Sequence, residues 1–291
     1  MVDYTERSFR ASDLSGLGTH RLSYLDWNEA SPGIPVLCMH GLTRNSHDFD
    51  YIAKALSYEH RVIAVDTAGR GKSEWLANKL DYHYGTYLAD AMALLDELHI
   101  NEVIWIGTSM GGILGMMAAG MYPERIKALV LNDVGKLVPK EGLQRISTYA
   151  GKAHTFKTKQ EAESYLKDIF RTFGISNEQQ WAHLIQYSLM ETPEGYSFAC
   201  DPDILLPLAH QTDWFKLMQD VDLSLIWQAV QCPVLLLRGK DSDILREDTA
   251  KEMAEDKGKN VTLIEFQGVG HAPALLDDGQ ISAVVDWLKK Q

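Results

Sequence analysis

Residues 107–111 have the sequence GTSMG, which matches the pattern G-x-S-x-G around Ser109. A serine hydroxyl attacks a carbonyl only when a base removes its proton, and a tight turn flanked by small residues exposes it. The pentapeptide follows the β-type apolar run 103–106 and precedes a helical pattern. Ser109 is therefore predicted to be a nucleophile for acyl transfer. The alternative is a packing turn with a buried serine.

The candidate base is His271, in the segment 268–273 with the sequence GVGHAP. The flanking glycines and the proline indicate a loop that presents one imidazole. Of the ten histidines, His271 alone directly follows the last predicted core strand. Others, such as His99 and His183, lie on helical patterns, where a structural role is favoured. His271 is therefore predicted to be the general base.

An acid must orient that imidazole, and three carboxylates end predicted strands. Asp241 and Asp243 lie in the segment 238–243, and Asp133 ends the strand at 128–131. All three could reach His271. We favour Asp243, because one helix, one strand and a loop separate it from His271, and we place Asp241 second. The alternative for either is to cap the following helix.

Several elements must position these residues. Short apolar runs, uniform rather than alternating, predict strands buried on both faces and hence a parallel sheet covered by helices. These runs are 36–39, 62–65, 103–106, 128–131, 233–237 and 261–264. The mixed stretches 6–11 and 20–27 suit an antiparallel edge. A helical pattern at Leu88, Met92, Leu95 and Leu98 lies between strands. The fold class is therefore α/β and doubly wound.

The alternation of strand and helix breaks over residues 136–230, where helical and aromatic patterns replace strand runs. The pattern residues are Tyr165, Leu166, Ile169, Phe170, Phe173, Trp181, Leu184, Ile185, Leu189, Trp214, Phe215, Leu217, Met218, Leu223, Ile226 and Trp227. We predict a helical cap here, over the carboxyl edge of the sheet, and a core of residues 1–135 and 231–291. The alternative is a second independent domain.

Four motifs in order carry a family resemblance: MHGL at 39–42, DTAGRGKS at 66–73, GTSMGG at 107–112 and GHAP at 270–273. Together they resemble the α/β-hydrolase superfamily over nearly the whole chain. The resemblance implies that fold, with a mostly parallel central sheet. It also implies an oxyanion hole made by the backbone N–H groups of Leu42 and Met110. The segment 238–243 is similar to members whose acid is the final aspartate, which supports Asp243.

Other residues near these motifs narrow the chemistry. Ser109 stands where dehalogenases and epoxide hydrolases of this fold carry aspartate, which disfavours those activities. His40 is predicted to brace the oxyanion loop rather than to react. Arg44 could contact a substrate carboxylate, or form a structural ion pair with Asp48 or Asp66.

Composition excludes further classes of function. The 28 Lys and Arg against 40 Asp and Glu give a net charge of −12, which disfavours binding to nucleic acid or anionic membranes. The three cysteines have no metal-ligand or disulfide spacing, and the charged N-terminus lacks a signal-peptide core. A cytoplasmic protein is expected. No cofactor and no metal are implied, because Asp66 stands where a P-loop needs its first glycine and H-E-x-x-H is absent.

The uncharged run 103–122 has the length of a membrane span and contains a small-residue packing motif. We interpret it as a buried strand, the turn at Ser109 and a buried helix, so no span is predicted.

The sequence thus predicts a serine hydrolase that acts on a small carboxylic ester. The same residues could serve hydrolases of C–C bonds in ring-fission products, enol-lactonases or cofactor-free perhydrolases. A non-catalytic small-molecule receptor is the alternative from another class. The sequence leaves the oligomeric state, monomer or dimer, open.

Overall fold

The computed structural model describes residues 4–207 and 219–291. Eight strands in this part of the chain form one sheet: β1 (Tyr4–Ser12), β2 (Thr19–Trp27), β3 (Val36–Met39), β4 (Val62–Val65), β5 (Val103–Thr108), β6 (Ile126–Asn132), β11 (Val234–Gly239) and β12 (Val261–Phe266). The segment between β6 and β11 contains the short strands β7 (Leu137–Val138), β8 (Leu189–Thr192), β9 (Gly195–Phe198) and β10 (Val221–Asp222).

The sheet has the order β1-β2-β4-β3-β5-β6-β11-β12. Strand β2 pairs antiparallel with both β1 and β4, and every later pair is parallel. The predicted parallel core and antiparallel edge are both confirmed. The carboxyl ends of β3, β5, β6, β11 and β12 therefore lie along one edge, where residues far apart in sequence meet.

Within the described residues, five helices flank this sheet: α1 (Asp50–Leu56), α2 (Tyr84–Glu97), α3 (Met110–Met121), α8 (Glu247–Ala254) and α9 (Asp278–Leu288). Successive residues of one strand point to opposite faces of the sheet and pack in two different hydrophobic clusters. Leu236 packs in the cluster that includes residues of α2, α3 and α8, whereas Leu235 and Leu237 pack in the cluster with α1 and α9. Both faces are buried, which explains why these strands read as uniform apolar runs.

The uncharged run 103–122 divides as expected into β5, a turn at Ser109 and α3. Helix α3 is 12 residues long, shorter than a span requires. Among the described residues, no helix is long and apolar enough to cross a membrane.

Between β6 and β11 the described elements are β7 (Leu137–Val138), α4 (Lys140–Ser147), α5 (Lys159–Ile169), α6 (Glu178–Ser188), β8 (Leu189–Thr192), β9 (Gly195–Phe198), β10 (Val221–Asp222) and α7 (Ser224–Ala229). Helices dominate, as predicted. The hairpin β8–β9 and the short pair β7–β10 were not predicted, because runs of two to four residues show no clear period. The pattern residues Trp214, Phe215, Leu217 and Met218 lie outside the described residues, as do residues 1–3.

Candidate active site

Ser109 occupies a tight turn between β5 and α3, with φ 51° and ψ −110°. The turn requires glycine on both sides of the serine. A Cβ atom on Gly111 would lie 1.9 Å from the carbonyl oxygen of Met39, and one on Gly107 would lie 2.2 Å from that of Gly111. The small residues of the G-x-S-x-G pattern are therefore imposed by backbone contacts between β3, β5 and α3.

His271 lies between Ser109 and an aspartate, as a general base requires. Its Nε2 is 3.0 Å from the Oγ of Ser109, and its Nδ1 is 2.8 Å from the Oδ2 of Asp133. The imidazole is 7% exposed and the Asp133 side chain is fully buried. His271 follows β12 and Asp133 follows β6, so the edge of the sheet brings them together across β11.

The carboxylate of Asp133 is held by the loop after β11. The N–H of Gly239 donates to Oδ1 at 2.9 Å, and the hydroxyl of Ser242 donates to Oδ2 at 2.6 Å. A carboxylate only accepts hydrogen bonds, so Nδ1 of His271 is the donor in their pair. In the neutral imidazole Nε2 then carries a lone pair that faces the Ser109 hydroxyl. This tautomer is the one needed to remove a proton from serine.

The structure corrects the predicted pairing of Asp243 with His271. Asp243 instead forms a bidentate ion pair with Arg145 of α4, at 2.5 and 2.8 Å. Burial opposes ionisation of Asp243, but the hydrogen bond and charge of Arg145 outweigh it and lower its pKa. The loop after β11 turns Ser242 towards the carboxylate of Asp133 and Asp243 towards Arg145. Asp241 is exposed, and its N–H bonds to the carbonyl of Val269.

The loop after β3 lies directly beside Ser109. A Cβ atom on Gly41 would lie 3.9 Å from the Cβ of Ser109, and both residues line the same pocket. In the described part of the chain, the backbone N–H groups of Leu42 and Met110 donate to no protein acceptor. Two uncommitted donors close to Ser109 are what a developing oxyanion needs.

His40 is completely buried beneath this loop and braces it, as predicted. Its Nδ1–H donates to the carbonyl of Gly41 at 2.7 Å, and its Nε2 accepts from the N–H of Thr67 at 3.0 Å. Burial, with a smaller contribution from the charges of Arg70 and Arg44, lowers the pKa of His40 to about 3. The imidazole is thus neutral and acts as a fixed link between two loops.

Arg44 forms the ion pair with Asp48 that was one of its two predicted roles. Its Nε lies 3.0 Å from one carboxylate oxygen of Asp48, and its Nη2 lies 2.5 Å from the other. Its Nη1 donates to Ser188 of α6, and the ring of Phe170 lies 4.9 Å from the guanidinium carbon. The other predicted partner, Asp66, accepts backbone N–H bonds instead.

The pocket above Ser109 combines residues of the sheet edge with residues of the segment between β6 and β11. From that segment come mainly apolar side chains: Ile146, Tyr149, Phe170, Phe173, His183 and Leu184. Arg44 and Asp48 add a polar pair to the same wall. Among residues 4–207 and 219–291, no cluster of three His, Cys, Asp or Glu side chains could hold a metal ion.

The fold and this site together define the α/β-hydrolase class, and comparison with known proteins agrees. Residues 34–278 match the family model for the alpha/beta hydrolase fold, so the chain belongs to that family.

Among its relatives is a 3-hydroxybutyrate-oligomer hydrolase from Cupriavidus necator. The two are 36% identical over 274 residues, which cover 92% of this chain and 93% of the relative. An alpha/beta hydrolase from Novosphingobium aromaticivorans has a similar structure, with a TM-score of 0.86, 33% identity and complete coverage of both chains. A protein from Rickettsia typhi gives a TM-score of 0.89 at 35% identity over 99% of each chain. The chain is thus similar to hydrolases over its full length.

Proposed function

We propose that this protein is a serine hydrolase that cleaves carboxylic esters through an acyl-enzyme on Ser109. The observation that carries the proposal is the hydrogen-bonded chain from Asp133 through His271 to Ser109. The strained turn supports it too, because a serine in a purely structural role has no need of positive φ.

In the proposed reaction, Ser109, His271 and Asp133 each act in the acylation half and again in the deacylation half. His271 Nε2 takes the Ser109 proton while Oγ attacks the ester carbonyl, and Asp133 stabilises the imidazolium that forms. As the tetrahedral intermediate collapses, the bond to the alcohol oxygen breaks and His271 returns the proton to that oxygen. Water, deprotonated by His271, then attacks the acyl-enzyme, and the acid leaves as Ser109 recovers its proton.

The negative oxygen of each tetrahedral intermediate is assigned to the N–H groups of Leu42 and Met110. Both donors are free of protein acceptors in the described residues, and the loop that carries Leu42 is braced by His40. A preorganised pair of donors needs no rearrangement during the reaction, which is the source of its catalytic effect.

We further propose that residues 136–230 act as a cap that shapes the substrate pocket. Helices α4 and α6 contribute Ile146, His183 and Leu184 to the pocket wall. The Arg145–Asp243 and Arg44–Ser188 contacts join this segment to the loops of the sheet edge.

The proposed substrates are short esters of hydroxy acids, such as oligomers of 3-hydroxybutyrate. The relative from Cupriavidus necator supports this class. The pocket supports it as well, because a chain with an ester carbonyl in every unit matches apolar walls interrupted by a polar pair better than a plain alkyl chain does. One N–H of the Arg44 Nη1 donates to Ser188, and one N–H of its Nη2 donates to Asp48. Within the described residues, the second N–H on each of these nitrogens has no acceptor.

The test compares wild type with Ser109→Ala on p-nitrophenyl butyrate and on dimers and trimers of 3-hydroxybutyrate. We expect hydrolysis by wild type only, with a higher kcat/KM for the trimer than for an unsubstituted ester of equal length. A fluorophosphonate probe should label wild type and not Ser109→Ala. Equal turnover by the two proteins would contradict the nucleophile, and turnover of lactones or ring-fission acids alone would contradict the substrate class.

A further inference from the structure

Arg70, in the motif at 66–73, has no part in the chemistry proposed so far, yet its side chain is completely buried. Its Nε donates to the carbonyl of Leu42 at 2.9 Å. Its Nη1 donates to the carbonyl of Ala68 at 2.7 Å and to the hydroxyl of Tyr87 at 2.6 Å. Within the described residues, every one of these acceptors is uncharged.

A guanidinium remains protonated inside a protein, so Arg70 is a buried positive charge without a carboxylate partner in the described chain. The rings of Tyr82 and Tyr87 lie 5.7 and 4.8 Å from its central carbon and offset part of the lost hydration. Burial of a charge without a carboxylate partner is unfavourable, a cost that a neutral side chain in the same place would not carry. A purely structural role therefore leaves the charge unexplained.

The position of Arg70 supplies a reason for the charge. The carbonyl that its Nε binds belongs to Leu42, and its Nη2 lies 3.9 Å from the Sδ of Met110. These are the two residues whose N–H groups are assigned to the oxyanion. The guanidinium thus contacts both residues of the proposed oxyanion hole, through the carbonyl of Leu42 and the side chain of Met110.

We propose that Arg70 is a positioning residue of the oxyanion hole, which fixes the Leu42 segment and stabilises the negative tetrahedral intermediate through its buried charge. This inference rests on the function proposed above. Charges interact strongly where water is excluded. The ester is neutral and the intermediate is an anion, so the charge should favour the intermediate over bound substrate and act on kcat rather than KM.

The state of His40 agrees with a positive environment under this loop. The pKa of His40 is lowered first by burial and then, among nearby charges, by Arg70. The guanidinium of Arg70 is thus a positive group in contact with Leu42 and Met110, beside a neutral His40.

The experiment compares Arg70→Gln with Arg70→Lys in the full-length protein, on p-nitrophenyl butyrate. Butylboronic acid serves as the probe of the intermediate, because it forms a tetrahedral anion on a catalytic serine. For Arg70→Gln we expect kcat to fall on the order of 10- to 100-fold, less than for loss of a direct donor, and boronate binding to weaken in parallel. KM should change less than about threefold. Arg70→Lys keeps the charge but loses the Nε–H bond to Leu42, so it should lose less of both quantities than Arg70→Gln.

Arg61→Gln is the matched control, because it removes a paired arginine next to the amino end of β4, away from the site. Arg61→Gln should lower the Tm without weakening the binding of butylboronic acid. Arg70→Gln with kcat and boronate affinity within twofold of wild type would overturn the inference, as would an equal loss in Arg70→Lys. If Arg70→Gln fails to fold, Tyr87→Glu is the second variant, because it places a carboxylate opposite Nη1 and neutralises the charge of Arg70. Unchanged boronate affinity in Tyr87→Glu would also overturn the inference. A wild type that hydrolyses no ester and resists the fluorophosphonate would overturn the proposed function itself, an outcome independent of Arg70.

Discussion

The Oδ2 of Asp133 lies 2.8 Å from the Nδ1 of His271, although 138 residues separate them in sequence. Asp133 sits at the end of β6 with φ 58°. The loop after β11 surrounds its carboxylate with the Gly239 N–H and the Ser242 hydroxyl. The carboxylate that contacts His271 thus comes from one strand, and the groups that hold this carboxylate come from the next. Each can therefore be tested by its own substitution.

Asp133→Asn should reduce kcat by roughly 10³- to 10⁴-fold, because the amide no longer selects the Nδ1–H tautomer of His271. The measurement is steady-state hydrolysis of p-nitrophenyl butyrate. Asp243→Asn and Asp241→Asn are the controls, and each should stay within about tenfold of wild type because neither side chain bonds to His271. A larger loss of kcat in Asp243→Asn than in Asp133→Asn would instead identify Asp243 as the acid that orients His271.

Gly111→Ala should lower the free energy of unfolding by about 3 kcal/mol or more, because its Cβ would meet the Met39 carbonyl oxygen at 1.9 Å. Urea unfolding measures the loss. Gly258→Ala is the matched control, since the nearest atom to its Cβ would be at 3.5 Å, an ordinary contact, and it should stay within about 0.5 kcal/mol. Equal stability of the two variants would contradict the close approach of α3 to β3.

His40 should make the protein sensitive to acid. Its pKa is about 3 in the folded state against an ordinary value of 6.5 for histidine, so the unfolded chain binds this proton more readily. The contribution of neutral His40 to stability is therefore complete above pH 6.5 and is lost as the pH falls towards 3, by up to about 1.4 kcal/mol per pH unit.

Urea unfolding between pH 7 and pH 4 tests this, with His40→Gln as the variant, because a glutamine amide can still donate and accept but does not titrate. The decline of stability with falling pH should be shallower in His40→Gln than in wild type. His99→Gln removes an exposed imidazole and should keep the wild-type slope. Parallel slopes for wild type and His40→Gln would count against a buried neutral imidazole.

Arg44→Met should destabilise the protein by about 3 kcal/mol, because it leaves the largely buried carboxylate of Asp48 without its cation. The double variant Arg44→Met/Asp48→Asn should recover part of that loss. Thermal unfolding of wild type, Arg44→Met, Asp48→Asn and the double variant gives the double-mutant cycle. If Arg44 also contacts the substrate, the double variant should raise KM for the 3-hydroxybutyrate trimer more than for p-nitrophenyl butyrate. Additive losses in the cycle would show that the ion pair has no energetic coupling.

Much of this arrangement could be predicted from the sequence because it depends on local contacts. Uniform apolar runs require strands buried on both faces, and the observed parallel core has them. The pattern around Ser109 requires a turn that only glycine flanks allow, and the clashes at Gly107 and Gly111 explain why. The split of the uncharged run 103–122 at Ser109 follows from the same turn.

The choice of the acid could not be made from the sequence, because three aspartates end strands that meet at one edge. Only tertiary structure shows which of them contacts His271: Ser242 and Gly239 hold Asp133 against the imidazole, while Arg145 of α4 pairs with Asp243. The burial of Arg70 against Leu42 and Met110 was hidden for the same reason. The sequence by itself determined which residue types could react and which strands present them. Only the folded chain decided which of several equivalent side chains reach each other, since that depends on contacts between segments 100 or more residues apart.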